Sequence, residues 1–353
     1  MASPAMKTFP SEADAKAHEL LYQRCTDLVS SWPGCEGLAY IQLFRHEKGW
    51  YSGLSPHVGT MVADACFAAR PSDVVVATVP KSGTTWIKAL LYPTVHRREH
   101  HPAAAGDHPF NSLGPHECVN WLEYQLYAAN RLPDLDGLPE PRLLPRAVAA
   151  SGCKVVYVCR EPKDNLVSLL EFVNSYNARN GRELVTVDAA VDFFCDGKTS
   201  SGPYWENVLG YWRAHLAHPE RVLFFRYEEM KRDPAAHVRR LAEFVGLPFS
   251  SREEDDGVAD AIVRLCSFDS MAGMEATKSG KTRLPVGDVA NSASFRRGQV
   301  GDWANHLSPE MVRRIDAITE AKFGGDEDLL VSLGCSNHGI LGLTLLHKTR
   351  IKV

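Results

Sequence analysis

The sequence predicts an α/β fold in a single domain, with a central, mainly parallel sheet flanked by helices. Two observations support this prediction. Three short runs are almost continuously apolar and rich in β-branched residues, as in strands that are buried on both faces. A helical pattern follows each run, and such strand–helix alternation is typical of a parallel sheet that helices cover on both sides.

The elements can be placed one by one along the chain. The predicted strands, each with the helix that follows it, are 73–79 with 85–96, 154–159 with 163–177, and 221–225 with 233–245. Pro93 indicates a kink or an end in the first of these helices. Asp233 and Pro234 suit the cap and the first position of the third helix. Trp205 and Trp212 recur at helical spacing and predict a further helix at 203–216, with both indoles in the core.

The length suits one large domain or two small ones, and the composition is that of a globular protein. The 353 residues include 44% hydrophobic and 23% charged residues, which are ordinary values for a globular protein. We expect residues 1–70 to form an N-terminal segment that packs on the core, with a mixed helical pattern over 11–31. Residues 71–330 are expected to form the main domain, and residues 331–353 a C-terminal tail.

Charge and cysteine content exclude several classes of protein. The net charge of -4 argues against a general nucleic-acid binder, which needs a basic excess. No apolar run approaches the roughly 18 residues that a membrane span needs, and the start lacks the apolar core of a secretion signal. Nine scattered cysteines without a CxxC pair indicate reduced thiols and a cytoplasmic location. No ligand spacing indicates a metal site.

The strongest local signal is the run Pro80–Trp86, Pro-Lys-Ser-Gly-Thr-Thr-Trp, between a predicted strand and a helix. Gly83 allows the backbone to approach an anion closely, and the amides and dipole of a helix start favour negative charge. Lys81 adds a mobile charge. Hydroxyl donors are supplied by Ser82, Thr84 and Thr85. The run is not a Walker A loop, in which Lys follows the last Gly. The alternative is a simple strand–turn–helix junction with a hydroxyl cap.

With this run, the sequence resembles the cytosolic sulfotransferase family, and most closely its plant-type members. Two more segments match: Cys159–Ser168 is similar to the family's element at the 3′-phosphate, and Phe295–Trp303 to its C-terminal signature. The three motifs stand in family order. The resemblance implies a P-loop-like phosphosulfate-binding loop and a sulfotransferase domain over 71–330. It also implies transfer of the sulfuryl group of 3′-phosphoadenosine 5′-phosphosulfate (PAPS) to a hydroxyl of a small acceptor, without a metal.

The resemblance implies a role for each matching residue. Residues Lys81 to Trp86 would hold the phosphosulfate, with Lys81 as a catalytic cation and Trp86 stacked on adenine. Arg160 and Ser168 would hold the 3′-phosphate, for which the guanidinium fork is suited. The other implied nucleotide contacts are Tyr227, Cys266, Ser267, Phe268, Arg296, Arg297 and Gly298. Arg297 stands where the family usually has Lys. Taken singly, such arginines are more often surface charges and such a tyrosine more often packs in the core.

The sequence departs from the family where the general base is expected. The family's base is a His in a Thr-His-x-Pro segment just before the second strand. Here Leu138–Leu144 joins directly to Pro145–Gly152, and there is no His between His116 and His215. Two explanations stay open: the chain is a PAPS binder with weak or no transferase activity, or His116 or another group replaces the base. A lone His such as His116 is more often structural.

The acceptor and the assembly state stay open. The acceptor pocket would be built from variable loops, including Glu117–Arg131 and the polar, Gly-rich stretch Ser270–Ser294, which indicates a mobile lid. A monomer or a homodimer fits equally well, with no nucleic-acid or membrane partner. An ATP-dependent kinase is a third reading, which predicts magnesium dependence and affinity for ATP.

Overall fold

The computed structural model describes residues 11–38, 41–46, 49–67, 70–104, 108–119, 143–145, 153–199, 201–284, 287–326 and 329. Its helices are α1 Glu12–Ser30, α2 Leu54–Cys66, α3 Thr84–His96, α4 Pro115–Cys118, α5 Pro162–Arg179, α6 Val187–Cys195, α7 Tyr204–Ala217, α8 Tyr227–Arg232, α9 Pro234–Val245, α10 Ser251–Asp255, α11 Val258–Leu265, α12 Phe268–Gly273, α13 Glu275–Lys278 and α14 Pro309–Phe323. Its strands are β1 Gly34–Glu36, β2 Gln42–His46, β3 Gly49–Ser52, β4 Val74–Thr78, β5 Leu143–Pro145, β6 Lys154–Cys159, β7 Val222–Arg226, β8 Lys281–Leu284 and β9 Gly287–Ala290.

The central sheet has the order β5-β4-β6-β7, and all its neighbouring pairs are parallel. Successive side chains of a strand point to opposite faces, and both faces are buried here. Val75 and Tyr157 belong to one apolar cluster, whereas Val74 and Val156 belong to another. The predicted α/β fold with a buried parallel sheet is therefore confirmed.

Pro93 does not end α3, which continues to His96. A proline inside a helix removes the hydrogen bond to the carbonyl four residues earlier, here that of Ala89. The thiol of Cys266 donates a hydrogen bond to this carbonyl oxygen at 3.1 Å. A contact from a distant part of the chain thus satisfies the acceptor that Pro93 leaves open.

The N-terminal segment shares the core of the sheet. Helices α1 and α2 pack together, and Val29 and Val58 lie in the same apolar cluster as Tyr157. Strands β1, β2 and β3 form a separate antiparallel sheet. The division of the chain at residues 70 and 330 stays a prediction, and the tail 331–353 lies outside the described residues.

The stretch Ser270–Ser294 is more ordered than its composition indicates. It holds α13 and the antiparallel pair β8–β9. Asn291 ties these elements together, because its Nδ2 donates to the Ala276 carbonyl oxygen at 2.8 Å and its Oδ1 accepts from the Thr282 hydroxyl at 2.7 Å. That this stretch acts as a mobile lid stays a prediction.

The structure bears on two sequence predictions, the reduced cysteines and the lack of a membrane span. The cysteines in the described part of the chain carry free thiols. Burial raises the pKa of several of them, including Cys159 and Cys266. None of the described helices combines the length and the apolar character needed to cross a bilayer.

Candidate active site

The predicted phosphate loop is the turn between β4 and α3. Its backbone is unusual, because Lys81 has a φ of 70° and is the only non-glycine residue of the described ranges with a positive φ. Gly83 follows with a φ of 101°, and a Cβ at this position would lie 2.8 Å from Cδ2 of Tyr227. Glycine is therefore required here twice, by conformation and by contact. The first amides of α3 have no acceptor inside the helix, so they are available to an anion.

The start of α5 holds this turn in place. Nδ2 of Asn165, a fully buried side chain, donates to the Pro80 carbonyl oxygen at 2.8 Å and to Oγ of Ser82 at 3.0 Å. Nη1 of Arg160 donates to the Lys81 carbonyl oxygen at 3.2 Å. Hydrogen bonds between protein groups thus join the predicted phosphate loop to the predicted 3′-phosphate element.

A cavity of about 400 Å³ opens at this edge of the sheet. The predicted site residues that line it are Lys81, Gly83, Thr84, Thr85, Trp86, His116, Arg160, Ser168, Tyr227, Cys266, Ser267, Phe268, Arg296, Arg297 and Gly298. Ser82 does not line the cavity and lies buried in the turn. The structure thus brings residues from six separate parts of the sequence to one place, while their individual roles stay predictions.

Arg160 lies at the centre of the site. Its guanidinium group is 4.7 Å from the centroid of the Tyr227 ring, and its Nη2 donates to the Gln299 carbonyl oxygen at 2.9 Å. Its Nε is buried and has no hydrogen-bond partner among the described residues. A buried donor of this kind is costly unless a ligand pairs with it. The site therefore fits an anionic ligand.

The electrostatics of the cavity point the same way. Burial, with the nearby charges of Arg160 and Arg296, lowers the pKa of Lys81 to about 8. The Lys81 ammonium lies 4.5 Å from the centroid of the Phe172 ring. Other cationic side chains that line the cavity are Lys198, Lys231 and Arg297. In the described ranges no carboxylate lines it, and a ligand with several negative charges matches this set.

Aromatic rings form the side of the cavity next to α8. Trp86 meets Tyr227 edge to face with 5.6 Å between centroids, and the Lys231 ammonium lies 5.7 Å from the Trp86 ring. Gly298 has a φ of 61°, and a Cβ there would lie 2.7 Å from Cδ2 of Phe268. These flat surfaces suit a nucleobase, which has two π faces and a polar edge.

The C-terminal signature is organised by a buried carboxylate. Oδ2 of Asp302 accepts from Arg296 at 2.5 Å and its Oδ1 accepts from Arg297 at 2.7 Å. Asn305 donates to the same carboxylate at 3.2 Å. Burial acts to raise the pKa of Asp302, but the hydrogen bonds from Arg296 and Asn305 and the two arginine charges outweigh it and hold this pKa well below its usual value.

We expect Asp302→Ala to lower the free energy of unfolding by about 1–3 kcal/mol, because it removes a buried acceptor of charged donors. The ionised Asp302 carboxylate makes its full contribution to the free energy of unfolding above pH 3.8, the usual pKa of aspartate. The contribution is lost as the pH falls below this value. Denaturant unfolding at pH 7 measures the effect. Asp192, which pairs with Arg314 at the surface, is the matched control, and Asp192→Ala should cost less than about 1 kcal/mol. Equal losses in the two variants would contradict this account of the loop.

Several site residues escape sequence reasoning. Phe172 and Lys231 line the cavity, while Asn165 and Asp302 support it from behind. Lys88 is fully buried on α3, although lysine is usually exposed. One signal was available for Lys88, since it interrupts the apolar run Ile-Lys-Ala-Leu-Leu of a buried helix. The others could be found only from the fold, which brings distant segments together.

Comparison with known proteins decides the family. Residues 71–327 match the family model described as sulfotransferase domain. The chain belongs to the sulfotransferase family. Among relatives in this family, cytosolic sulfotransferase 16 of Arabidopsis thaliana is 43% identical over 314 residues, which cover 86% of this chain and 92% of the relative. Cytosolic sulfotransferase 15 of the same plant is 41% identical over 296 residues, with 81% and 80% covered.

Solved structures of sulfotransferases share the fold. A crystal structure named for an Arabidopsis thaliana steroid sulphotransferase superposes with a TM-score of 0.66 at 30% identity, and covers 91% of this chain and 98% of its own. A mouse sulfotransferase complexed with 3′-phosphoadenosine 5′-phosphate (PAP) superposes with a TM-score of 0.61 at 24% identity, with 83% and 97% covered. Within the described ranges, no cluster of three or more His, Cys, Asp or Glu side chains could hold a metal ion.

Proposed function

We propose that this sulfotransferase-family protein binds PAPS and transfers its sulfuryl group to a hydroxyl of a small-molecule acceptor. One observation carries the proposal: the phosphate loop, Arg160 and the two arginines of the C-terminal signature line a single cationic cavity, next to the ring of Trp86. A nucleotide with phosphate groups at both its 3′ and 5′ sides matches this arrangement of charges and rings. We therefore propose that the predicted nucleotide residues that line this cavity hold PAPS, while Ser82 supports the turn from inside.

Sulfuryl transfer requires stabilisation of developing negative charge more than a covalent intermediate with the protein. In sulfuryl transfer the acceptor oxygen attacks sulfur as the bond from sulfur to the leaving phosphate breaks, so negative charge grows on that phosphate. Lys81, whose ammonium lies at the cavity wall, would stabilise this charge. Arg160, Arg296 and Arg297 would hold the nucleotide in register. The acceptor's proton still needs a base.

The acceptor side of the cavity is apolar. Leu38, Ile41 and Leu43 reach it from the N-terminal sheet region, and Phe172 and Tyr176 reach it from α5. Apolar and aromatic walls with few polar groups are typical of sites for small organic ligands. We therefore propose a hydroxylated acceptor with an apolar body, such as a phenol, a flavonoid, a steroid or a hydroxylated jasmonate.

A catalytically weak or inactive PAPS or PAP binder is the alternative, and the missing Thr-His-x-Pro segment favours it. The segment Leu138–Gly152 lies outside the described residues except for β5. That strand pairs in parallel with β4, so its carboxyl end lies at the same sheet edge as the phosphate loop that follows β4. A His inserted after Leu144, at the carboxyl end of β5, would therefore lie at the sheet edge where the cavity opens, whereas the present chain continues with Pro145 and Arg146.

Inserting Thr-His-Val-Pro after Leu144 should raise turnover, because a positioned general base typically contributes about 10²–10⁴-fold. Initial rates with labelled PAPS measure the effect. The matched control is Thr-Ala-Val-Pro at the same position, which restores length without a base. Equal rates for the two insertions would show that the chain does not lack a base at this point.

Product formation from labelled PAPS tests the proposed function directly. Purified protein is incubated with labelled PAPS and a panel of phenols, flavonoids, steroids and hydroxylated jasmonates. Labelled acceptor above the level of the Lys81→Met variant supports the transferase. If neither wild type nor Lys81→Met forms labelled product above a protein-free blank with any acceptor, while wild type still binds PAP, the inactive binder is the correct interpretation.

The names of the relatives support a proposal for the location of the protein in the cell. Since the curated Arabidopsis relatives are named cytosolic, we propose a cytoplasmic location. We further propose that the chain works as a monomer or a homodimer, without nucleic acid, membrane or metal. PAPS is then a co-substrate and the acceptor is the only other small-molecule partner.

A further inference from the structure

Beside the phosphate loop, three polar side chains form a short hydrogen-bonded row between α3 and α4. Oγ1 of Thr85 lies 3.1 Å from Nε2 of His116, and Nδ1 of His116 lies 3.2 Å from Nζ of Lys88. Nζ of Lys88 also donates to the Val119 carbonyl oxygen at 2.9 Å. Thr85 and Lys88 are three residues apart on α3 and so share one face of the helix. Thr85 and His116 line the cavity, whereas Lys88 is fully buried.

The direction of each hydrogen bond in this row follows from its members. A lysine ammonium group has donors only, so Nδ1 of His116 must accept from Lys88. Burial, with the charges of Lys88 and Lys81, lowers the pKa of His116 well below its usual value, so the imidazole is neutral. A neutral imidazole with a lone pair on Nδ1 carries its proton on Nε2. His116 therefore donates to Thr85, whose own hydroxyl proton is directed to another acceptor.

We propose that Lys88 and His116 are positioning residues that fix the Thr85 hydroxyl as a hydrogen-bond donor to the phosphosulfate of the nucleotide. This inference rests on the proposed function, because the ligand it orients Thr85 toward is the PAPS of that site. The row defines the polarity of the hydroxyl before the nucleotide arrives. Without it, Thr85 Oγ1 could present a lone pair to the anion instead of a proton. A donor that is set in advance costs no reorganisation on binding.

The directions of these hydrogen bonds also argue against His116 as a substitute general base. A base must offer a lone pair to the acceptor's proton. The lone pair of His116 is on Nδ1, where it faces the Lys88 ammonium, and the atom that faces Thr85 is a donor. The sequence left two roles open for His116, a substitute general base or a structural residue. The hydrogen bonds favour the structural role, in which His116 orients the Thr85 hydroxyl.

Two substitutions at His116 separate these roles. His116→Ala removes the donor to Thr85, while His116→Gln can place an amide N–H near the position of Nε2 but can neither titrate nor act as a base. The binding of PAP, which carries the 5′-phosphate, is measured by calorimetry on folded protein, with melting temperatures recorded for each variant. We expect His116→Ala to weaken PAP binding about tenfold or more, and His116→Gln to recover most of this loss.

Thr85 supplies the second half of the test. Thr85→Val removes the hydroxyl and should weaken PAP binding about tenfold or more, whereas Thr85→Ser should retain most of the affinity. If His116 acts through Thr85, adding His116→Ala to Thr85→Val changes the dissociation constant by less than about twofold. Lys88→Met, which keeps the volume and removes the donors, should resemble His116→Ala.

The outcomes distinguish this inference from the proposed function. If the folded wild-type chain does not bind PAP, the proposed function fails and this inference fails with it. If wild type binds PAP but His116→Ala binds it equally well, or if the effects of His116→Ala and Thr85→Val multiply, only the inference is overturned. Loss of turnover in His116→Gln with unchanged PAP binding would restore His116 as the base.

Discussion

Lys81→Met is expected to lower the rate of sulfuryl transfer by about 100- to 1000-fold, the cost of removing one preorganised charge stabiliser from an active site. Lys81 is the cation of the turn between β4 and α3, and its ammonium lies against Phe172 at the cavity wall. Methionine has a similar volume, so packing against the ring should survive. Initial rates with labelled PAPS and an acceptor from the panel measure the loss.

The control and the pH dependence make this prediction specific. Lys16→Met, on the exposed side of α1, should leave the rate unchanged. Because burial and the neighbouring arginines lower the pKa of Lys81 to about 8, the free protein loses this charge as the pH rises through 8. PAP affinity should therefore fall between pH 7 and pH 9 in wild type and change less in Lys81→Met. Equal rates in wild type and Lys81→Met would contradict the role of Lys81.

Arg160→Ala is expected to weaken PAP binding by more than the roughly 1.5–3 kcal/mol of one hydrogen bond to a charged group, which is about tenfold or more. Arg160 does more than face the ligand, because it also donates to the Lys81 and Gln299 carbonyl oxygens and so links the phosphate loop to the C-terminal signature. Calorimetry with PAP measures the loss.

Arg160→Lys is the matched variant for this prediction. It keeps the positive charge but cannot reproduce the planar fork that spans two carbonyl oxygens. We expect its affinity for PAP to lie between wild type and Arg160→Ala. A dissociation constant unchanged by Arg160→Ala would mean that the 3′-phosphate is held elsewhere, and the site would have to be reassigned.

Much of the fold could be predicted because its strongest signals are local. The strands predicted at 73–79 and 154–159 differ from β4 and β6 by at most one residue at either end, since a strand buried on both faces is a short apolar run with clear limits. The α9 helix begins at Pro234, because a capping Asp and a following Pro specify a helix start.

Elements without such local signals could not be predicted. Strand β5 has three residues and exists through pairing with β4. The hairpin β8–β9 was expected to be a loop, because its sequence is polar and the hydrogen bonds of Asn291 that support it join residues up to fifteen positions apart. Likewise, α3 continues through Pro93, and the Ala89 carbonyl that Pro93 leaves open accepts a hydrogen bond from Cys266, far away in sequence.

For the site, the motifs identified many of the residues that line the cavity, but not Phe172 or Lys231, and they did not show which residues support the lining. Asn165 and Asp302 look like ordinary polar positions until the fold buries them, and the apolar run around Lys88 indicates burial but not its partner. Their importance comes from which atoms they meet: a histidine, a loop carbonyl and two guanidinium groups. Contacts of this kind depend on tertiary structure, so a single sequence does not specify them.

The most direct test of the central claim is calorimetric titration of the wild-type protein with PAP and, separately, with ATP, in buffer that contains a metal chelator. An anion cradle built around Lys81 and Arg160 for a nucleotide with both 3′ and 5′ phosphates predicts that PAP binds and that ATP binds far more weakly. The absence of PAP binding to folded protein, or tight ATP binding that requires magnesium, would contradict it.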